Sequence, residues 1–431
     1  MCYNAQTMVA VNRTITSDNG IQVELHGKLD LDHWATCLDA VQKEGLALAH
    51  QMVLTVLLGL LTALAVAIHV VTTLSVIARL RRNRPLNGVA GQPGVSILRP
   101  VCGIENHIEE TLASTFTDAY STYEVLFCCA REDDPIVPIV RRLIAAHPQV
   151  DAQLLIGDDR PSGNPKLNNL VKGWQAAKYN WILMADSNVL LPADYIPSLL
   201  GHWTPGTGLV TSPPAGIRPD GPWAELEAAF LNTYQDRMQL FADEAGQGFA
   251  QGKILFWRRD VLAAAGGLVK LGMEMAEDVA ATKAVRAQGL HVRVLTAPWP
   301  QPLGHRSLAS VWDRQVRWAR VRRLGFPAIF AVEILSGAVA PVLAATLLAA
   351  LGVIPGPLVL LLIIGWYGLE WALAHIAGWP RTPRDVAMWA LRDLLIPVLW
   401  VMGWAGSSFE WRGNTMTTDQ IIRDTAADRL K

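Results

Sequence analysis

The sequence predicts an α/β domain with membrane helices on both sides of it, and three observations support this prediction. Only 17% of the 431 residues are charged, whereas about 25% is usual in soluble domains. Uncharged apolar runs are concentrated towards the two ends of the chain. Between them, strand-like and helix-like segments alternate, which is typical of a parallel sheet covered by helices. The predicted strands are 95–98, 123–129, 150–156 and 181–185.

The first apolar run covers residues 52–78 and can cross a bilayer as one helix, because a crossing needs about 20 residues. Four arginines follow it: Arg79, Arg81, Arg82 and Arg84. Positive charge beside a span is typical of the cytoplasmic side, so we expect residues 85–325 to form a cytosolic domain. A signal peptide would instead need basic residues before a shorter apolar core. Residues 1–50 are an N-terminal extension of unknown role, with a strand-like run at 21–25.

The chain becomes apolar again after residue 325. Three further runs can be membrane segments: 329–353, 358–379 and 394–409. A basic segment, 381–392, separates the last two runs. Glu333 and Glu370 lie within the first two, and lone acids are costly in lipid, so interfacial or re-entrant segments are an alternative to full spans. We assign 326–409 to C-terminal membrane segments and 410–431 to a polar tail.

Charge and motif content exclude several classes of function. A net charge of −1 supplies no positive field that would collect nucleic acid. The five cysteines lack CxxC spacing and the ten histidines lack HxxxH spacing, so neither predicts a zinc or disulfide framework. The Gly-Lys pair at 252–253 is not a phosphate-binding P-loop, because Gln247 replaces its first glycine and Ile254 its Ser/Thr.

Two acidic motifs directly follow predicted strands, at the edge where open α/β sheets bind ligands. The segment 132–135 contains Asp134, which can accept hydrogen bonds from a base or ribose, although an acidic turn ending in proline has the same composition. Asp186 and Asn188 offer the oxygen ligands that Mg²⁺ or Mn²⁺ prefers, and a strand-capping turn is the alternative interpretation.

A Glu-Asp pair and a basic motif complete the candidate site. Glu277 and Asp278 begin a predicted helix, where acids are often only dipole partners, but Asp278 is also a candidate general base. Arg314 and Arg317 share one helix face and are followed by Trp318. They can clamp a diphosphate or, as a juxtamembrane basic helix, bind lipid headgroups.

The order and context of these four motifs resemble the ceramide glucosyltransferase family. The resemblance extends to segments that are similar to the family's nucleotide loop, to a region specific to the ceramide enzymes and to its acceptor-side loop. These segments are 96–103, then 150–157 with 163–170 (GNPKLNNL), and 259–262 with 266–268. The resemblance as a whole covers about residues 52–415.

The resemblance implies a GT-A, Rossmann-like nucleotide-sugar domain that transfers a hexose with inversion. The implied donor is a UDP-sugar, UDP-glucose first, and the acceptor is the primary hydroxyl of ceramide, giving a glycosylceramide. Implied donor-binding residues are Pro100, Glu105, Asp134, Lys166, Asp186, Arg314, Arg317 and Trp318. Asp278 is the implied base, supported by Glu277. A divalent ion, Mg or Mn, is implied at Asp186 and Asn188, although Asn188 stands where a second carboxylate would complete a DxD motif.

The resemblance also implies an integral membrane protein whose catalytic domain faces the cytosol at a bacterial inner membrane. Three other functions remain open. A hopanoid or other lipid glycosyltransferase should lack the 163–170 segment, and a processive polysaccharide synthase needs more spans and a gating loop after the RxxRW motif. A membrane scaffold or transporter with an inactive α/β domain would leave the coexistence of the four motifs unexplained.

Overall fold

The computed structural model describes residues 8–16, 22–82, 88–89, 91–116, 119–274, 276–406, 408–411 and 414–417. Ile21 of the strand-like run, Arg84, the start of the predicted domain at residue 85 and the tail beyond residue 417 lie outside the described residues. The run at 21–25 corresponds to a strand from Gln22, paired antiparallel with the strand before it.

The described strands are β1 (Met8–Thr16), β2 (Gln22–Asp30), β3 (Val95–Val101), β4 (Tyr123–Cys129), β5 (Asp151–Ile156), β6 (Trp181–Ala185), β7 (Thr207–Thr211), β8 (Pro214–Asp220), β9 (Ile254–Arg258), β10 (His291–Val294), β11 (Trp299–His305), β12 (Ser408–Trp411) and β13 (Asn414–Thr417). The α-helices are α1 (Leu31–Arg81), α2 (Ile108–Ala113), α3 (Val137–Ala146), α4 (Pro165–Ala176), α5 (Tyr195–Gly201), α6 (Pro222–Phe230), α7 (Arg237–Glu244), α8 (Arg259–Ala264), α9 (Gly267–Leu271), α10 (Glu277–Ala287), α11 (Leu308–Gly325), α12 (Pro327–Val332), α13 (Val339–Ala350), α14 (Pro357–Ala377) and α15 (Pro383–Trp404). A π-helical segment, Leu231–Asp236, connects α6 to α7, and 3₁₀ turns follow α2 (Ser114–Phe116) and α12 (Glu333–Leu335).

Seven strands form the central sheet in the order β10-β7-β9-β6-β3-β4-β5. The four strands predicted from sequence are all present as β3 to β6, and they pair in parallel. Their side chains are buried almost without exception in β4 and β6, as expected when helices cover both faces of a parallel sheet. The α/β domain and the apolar helices at both ends confirm the predicted fold class.

Strand β9 corrects the expectation of a purely parallel sheet, because it runs antiparallel to both β6 and β7. In the chain, β8, α6, the π-helical segment and α7 lie between β7 and β9. Because β9 runs antiparallel to β6, its first residue, Ile254, pairs with Ala185, the last residue of β6. The preceding turn, Gly252 and Lys253, therefore lies at the ligand-binding edge of the sheet.

Three described helices are long and apolar enough to cross a membrane: Gln42–Arg81 within α1, α14 and α15. A fourth crossing would combine Pro327–Leu335 with Val339–Ala350, which meet at a 44° bend within the predicted run 329–353. The helix that contains the predicted span 52–78 starts earlier than the apolar run, at Leu31.

The helix that contains most of the last apolar run, 394–409, starts earlier than the run, at Pro383, and ends at Trp404. Thr382 and Asp385 form a capping box that begins the helix inside the basic segment 381–392. Arg392 is tolerated in the helix because it is paired with Glu370 of α14 at 2.9 Å and with Asp393 at 2.8 Å. The same pair accounts for Glu370, the acid that the sequence placed in an apolar run.

Arg79 fastens the end of α1 to the α/β domain. Its side chain is only 2% exposed, and its Nη1 atom lies 2.8 Å from both Asp243 Oδ2 and Glu244 Oε1 in α7. Its Nη2 atom donates to the carbonyl oxygen of Val294 at 2.7 Å. Arg79 is therefore a buried connection to the domain and does not present its charge at the surface.

We predict that Arg79→Met lowers the free energy of unfolding by about 3–5 kcal/mol, because it leaves buried carboxylates without their partner. The matched control is Arg82→Met. Arg82 also contacts Glu244, at 3.3 Å, but its side chain is 56% exposed. The control should cost less than about 1 kcal/mol. Denaturant titration in detergent, followed by tryptophan fluorescence, measures the free energy of unfolding of both variants. An equal loss of stability in the two variants would contradict the anchoring role of Arg79.

Candidate active site

The site forms where the carboxyl end of β6 meets the turn before β9. The backbone N–H of Asp186 donates to the carbonyl oxygen of Lys253 at 2.9 Å, which fixes the two residues side by side. The start of α4 and the start of α10 reach the same place. The sheet edge thus collects residues that lie more than 100 positions apart in sequence.

Lys166 is the centre of this arrangement. Asn164 caps α4 by accepting hydrogen bonds from the backbone N–H groups of Lys166 and Leu167, which orients the first turn of the helix. The Lys166 Nζ atom lies 2.6 Å from Asp186 Oδ1 and 2.8 Å from Glu277 Oε1. Burial alone would lower the pKa of Lys166, but the charges of Asp186 and Glu277 outweigh it and raise the pKa. Lys166 therefore remains an ammonium group.

Asp186 carries a second ammonium group. Lys253 Nζ lies 3.1 Å from Asp186 Oδ2 and donates to Asn188 Oδ1 at 2.9 Å. The amide group of Asn188 in turn donates to Glu105 Oε2 at 3.0 Å. Burial alone would raise the pKa of Asp186, but the charges of Lys166 and Lys253 hold it at about 2. Asp186 is therefore ionised throughout the physiological range.

The side chains around Asp186, as arranged, do not fit a divalent ion. Each carboxylate oxygen of Asp186 contacts an ammonium group, and Asn188 Oδ1 accepts from one of them. Within the described part of the chain, no group of three or more His, Cys, Asp and Glu side chains is placed to bind a metal. An ion of charge +2 about 3.5 Å from an ammonium group is repelled by about 9 kcal/mol at an effective dielectric constant of about 20. A metal on Asp186 would require both ammonium groups to leave.

Asp278 follows Glu277 at the start of α10. Its Oδ1 atom accepts from Val279 N at 2.8 Å and its Oδ2 atom from Gly252 N at 3.3 Å. Burial and the neighbouring charge of Glu277 nevertheless raise the pKa of Asp278 to about 6. A carboxylate with this pKa is ionised at neutral pH and is a far stronger base than an ordinary aspartate, which suits general-base chemistry.

Glu277 serves a different purpose. One of its oxygens contacts Lys166 and the other accepts from Asn164 Nδ2 at 3.1 Å, so both are occupied by partners in α4. The side chains of Lys166 and Glu277 are 10% and 11% exposed. Glu277 therefore connects α10 to α4 and positions Asp278, and it does not face an open site.

Asp134 and Pro100 lie beside the loop that follows β3. Asp134 accepts from Gly103 N at 2.9 Å and from Ile136 N at 3.0 Å, so its carboxylate shapes this loop. Gly103 has φ of +65°, a backbone conformation that favours glycine. Pro100 is the penultimate residue of β3 and pairs with Cys128. The loop continues to Glu105, which accepts a hydrogen bond from Asn188. Through Asn188 this region is connected to Lys253.

The basic motif on α11 contacts the α/β domain. Arg314 Nη1 bonds Glu227 Oε1 of α6, and Arg306 Nε lies 3.2 Å from the other oxygen of Glu227, which is fully buried. Trp318 packs against a buried apolar cluster that includes Leu231 and Leu303. Arg317 lies on the same helix, between these two residues in sequence.

Most of the residues singled out in the sequence are brought together. Glu105, Lys166, Asp186, Asn188, Glu277 and Asp278 form one connected group of contacts. Arg314 is engaged with α6. Lys253 was missed, because its Gly-Lys dipeptide was considered only as a P-loop. The signal that would have found it is the antiparallel pairing of β9, which the sequence did not predict.

Gly252 permits the close approach of α10, and this generates a prediction. A Cβ atom at this position would lie 2.8 Å from Glu277 Oε1 and 3.6 Å from Asp278 Oδ2. We expect Gly252→Ala to lower the free energy of unfolding by about 1–3 kcal/mol through overpacking. Gly163→Ala is the control, because nothing lies within 4 Å of its Cβ position, and it should change stability by less than about 1 kcal/mol. Denaturant titration compares the two, and a neutral Gly252→Ala would show that α10 is not held this closely.

Comparison with known proteins identifies the family of this chain. The model of Glycosyl transferase family 21 matches residues 56–421. Ceramide glucosyltransferase 3 of Caenorhabditis elegans is 27% identical over 332 residues, which are 75% of this chain and 72% of that protein. Ceramide glucosyltransferase 1 of the same organism is 30% identical over 245 residues, 56% of this chain and 52% of that one.

Among solved structures, the mannosyltransferase PcManGT from Pyrobaculum calidifontis, in complex with GDP-Man and Mn²⁺, gives a TM-score of 0.44 at 16% identity. The match covers 81% of this chain and 98% of that one. The family match extends over most of the sequence, including all the motifs described above. The chain therefore belongs to glycosyltransferase family 21, the ceramide glucosyltransferase family.

Proposed function

We propose that this protein transfers a hexose from a UDP-sugar, with UDP-glucose the first choice, to the primary hydroxyl of ceramide with inversion of configuration. Family membership supports the reaction class and the acceptor. The observation that carries the mechanism is the pair of carboxylates at the sheet edge: Asp278, with a pKa of about 6, beside a charge-balanced cluster around Asp186.

In this mechanism Asp278 removes the proton from the acceptor hydroxyl as the oxygen attacks the anomeric carbon. Attack from the face opposite UDP inverts an α-linked donor to a β-glycoside in a single displacement. Glu277 and Lys166 hold α10 against α4, so that the base is in position before the acceptor arrives. Asp186 contributes its negative charge to the orientation of the donor through the two lysines. No divalent ion enters this mechanism, because both oxygens of Asp186 are engaged.

We also propose that the apolar helices place the acceptor. The acyl chains of ceramide stay in the bilayer beside α1, α14 and α15, while its headgroup meets a water-soluble donor at the sheet edge. The α/β domain would then lie on the cytosolic side, at a bacterial inner membrane. Arg81 and Arg82, which are exposed at the end of α1, supply the flanking positive charge for this orientation.

The test is an assay of purified protein in mixed micelles with ceramide and a panel of UDP-sugars. Mass spectrometry identifies the glycolipid, and NMR of the anomeric proton assigns its configuration. We expect a β-linked hexosylceramide from UDP-glucose. An α-linked product would show that transfer does not invert the configuration. A hopanoid glycoside in place of the ceramide product would favour the alternative lipid acceptor. A polymeric product would favour a polysaccharide synthase.

We predict that Asp278→Asn lowers turnover by about 10²–10⁴-fold, because the amide cannot accept the proton. UDP-sugar affinity should stay within a few-fold of wild type, since the change affects the chemical step. Glu277→Gln should be milder, because Glu277 contacts α4 and not the acceptor. Turnover on ceramide and calorimetric binding of the UDP-sugar are measured for both variants. Near-normal turnover in Asp278→Asn would show that Asp278 is not the base. A larger loss of turnover in Glu277→Gln than in Asp278→Asn would assign the base to Glu277.

The raised pKa of Asp278 predicts the pH dependence of the reaction. A general base acts in its ionised form, so kcat/KM should fall with decreasing pH below about 6 and level off above it. The slope on the acid side should approach about tenfold per pH unit, as expected for the titration of one essential group. The residual rate of Asp278→Asn is the control and should lack this inflection. A wild-type inflection near pH 4 would show that Asp278 is not the titrating base.

A further inference from the structure

In the mechanism described above Lys253 acts only as a partner of Asp186, yet its own ammonium group lies among the residues of the donor region. The side chain is only 14% exposed, and its Nζ atom contacts both Asp186 and Asn188. Burial lowers the pKa of Lys253, and the charges of Asp186 and Glu105 act against this shift. A second buried lysine at this place is costly unless its charge has a use, because each buried ion carries a desolvation penalty of several kcal/mol.

The position of Lys253 is fixed by the backbone. It occupies the turn before the antiparallel strand β9, and its carbonyl oxygen accepts from the N–H of Asp186. On the opposite side of Asp186, Lys166 is fixed at the capped start of α4. Two ammonium groups thus lie on the two oxygens of one carboxylate, at 2.6 Å and 3.1 Å. This is the place where the sequence predicted a divalent ion to meet the donor diphosphate.

We infer that the ammonium groups of Lys253 and Lys166 neutralise the diphosphate of the nucleotide sugar, so that transfer proceeds without a divalent ion. This inference rests on the proposed function. In the donor-free protein, Asp186 and Asn188 hold Lys253. The diphosphate then replaces Asn188 as its partner, and Asp186 keeps both ammonium groups close to the phosphate oxygens.

The charges balance through the reaction. The bond between the anomeric carbon and the diphosphate oxygen breaks, and its electron pair remains on UDP. The negative charge that develops there is stabilised by the two ammonium groups, with Arg314 near Lys253. The hydroxyl proton passes to Asp278, so the products are the glycoside, UDP and one proton. No co-reactant is required.

The experiment compares wild type with Lys253→Met and Lys253→Arg, each stripped with EDTA. Calorimetry measures UDP affinity, and product formation on ceramide is measured in EDTA and again with excess Mn²⁺ or Mg²⁺. Lys283→Met is the control, since Lys283 lies on α10, the helix that begins with Glu277 and Asp278, but is 45% exposed and paired with Glu274. Thermal unfolding of each variant verifies that it is folded.

We expect wild type to bind UDP and form product equally well in EDTA and in metal. Lys253→Met should weaken UDP binding in EDTA by about 10–100-fold, the effect of losing a charge-assisted hydrogen bond, while Lys253→Arg stays within a few-fold and Lys283→Met is unchanged. Loss of wild-type UDP binding and turnover in EDTA, with recovery in Mn²⁺, would overturn the inference, as would wild-type UDP affinity in Lys253→Met. Absence of glycolipid with metal and without it would instead count against the proposed function, and the UDP titration would still decide the role of Lys253.

Discussion

The arrangement of the site depends on the buried ammonium group of Lys166. An ion in this position is stable only if its charge is matched, and it is matched by two carboxylates from different elements, Asp186 after β6 and Glu277 at the start of α10. The three elements are therefore held together at the edge of the sheet. Asp278 follows Glu277 directly, so the position of the proposed base is a consequence of the same ion cluster.

Buried charge also determines how the apolar helices meet the α/β domain. Arg79 holds the end of α1 to α7 and to the strand edge at Val294, and Arg392 joins α15 to α14 through Glu370. Arg392 also donates to Thr233 at 2.6 Å, in the π-helical segment that follows α6. Because each of these cations contacts several partners at once, the contacts restrict the position of the helices relative to the α/β domain more closely than apolar packing alone. In the proposed function, a lipid acceptor bound beside these helices would therefore have a fixed position relative to the edge of the sheet.

The sequence predicted those parts of the molecule that local pattern determines. The strands β3 to β6 are short apolar runs, and the motifs after them lie at one edge because parallel strands end there. The direction of β9 and the burial of Arg392 within α15 were not predictable in this way. The first depends on pairing between residues about 70 positions apart, Ala185 with Ile254, and the second on neutralisation of Arg392 by a residue of another helix. Lys253 was missed because the direction of β9 was not predicted. The burial of Arg79 was missed because its carboxylate partners lie in a distant helix, α7.

The two aspartates of the site differ in pKa because their charged neighbours differ in sign. Burial acts to raise both values. Two ammonium groups outweigh burial and hold the pKa of Asp186 at about 2, whereas burial and the neighbouring carboxylate of Glu277 raise the pKa of Asp278 to about 6. Lys166 contacts Asp186 directly and holds Glu277 in place beside Asp278. Its own charge acts to lower the pKa of Asp278, but burial and Glu277 outweigh it. A permanently ionised acid and a titratable one are thereby maintained in one ion cluster. In the proposed mechanism, the first supplies the fixed charge that the donor needs and the second takes up the proton of the acceptor.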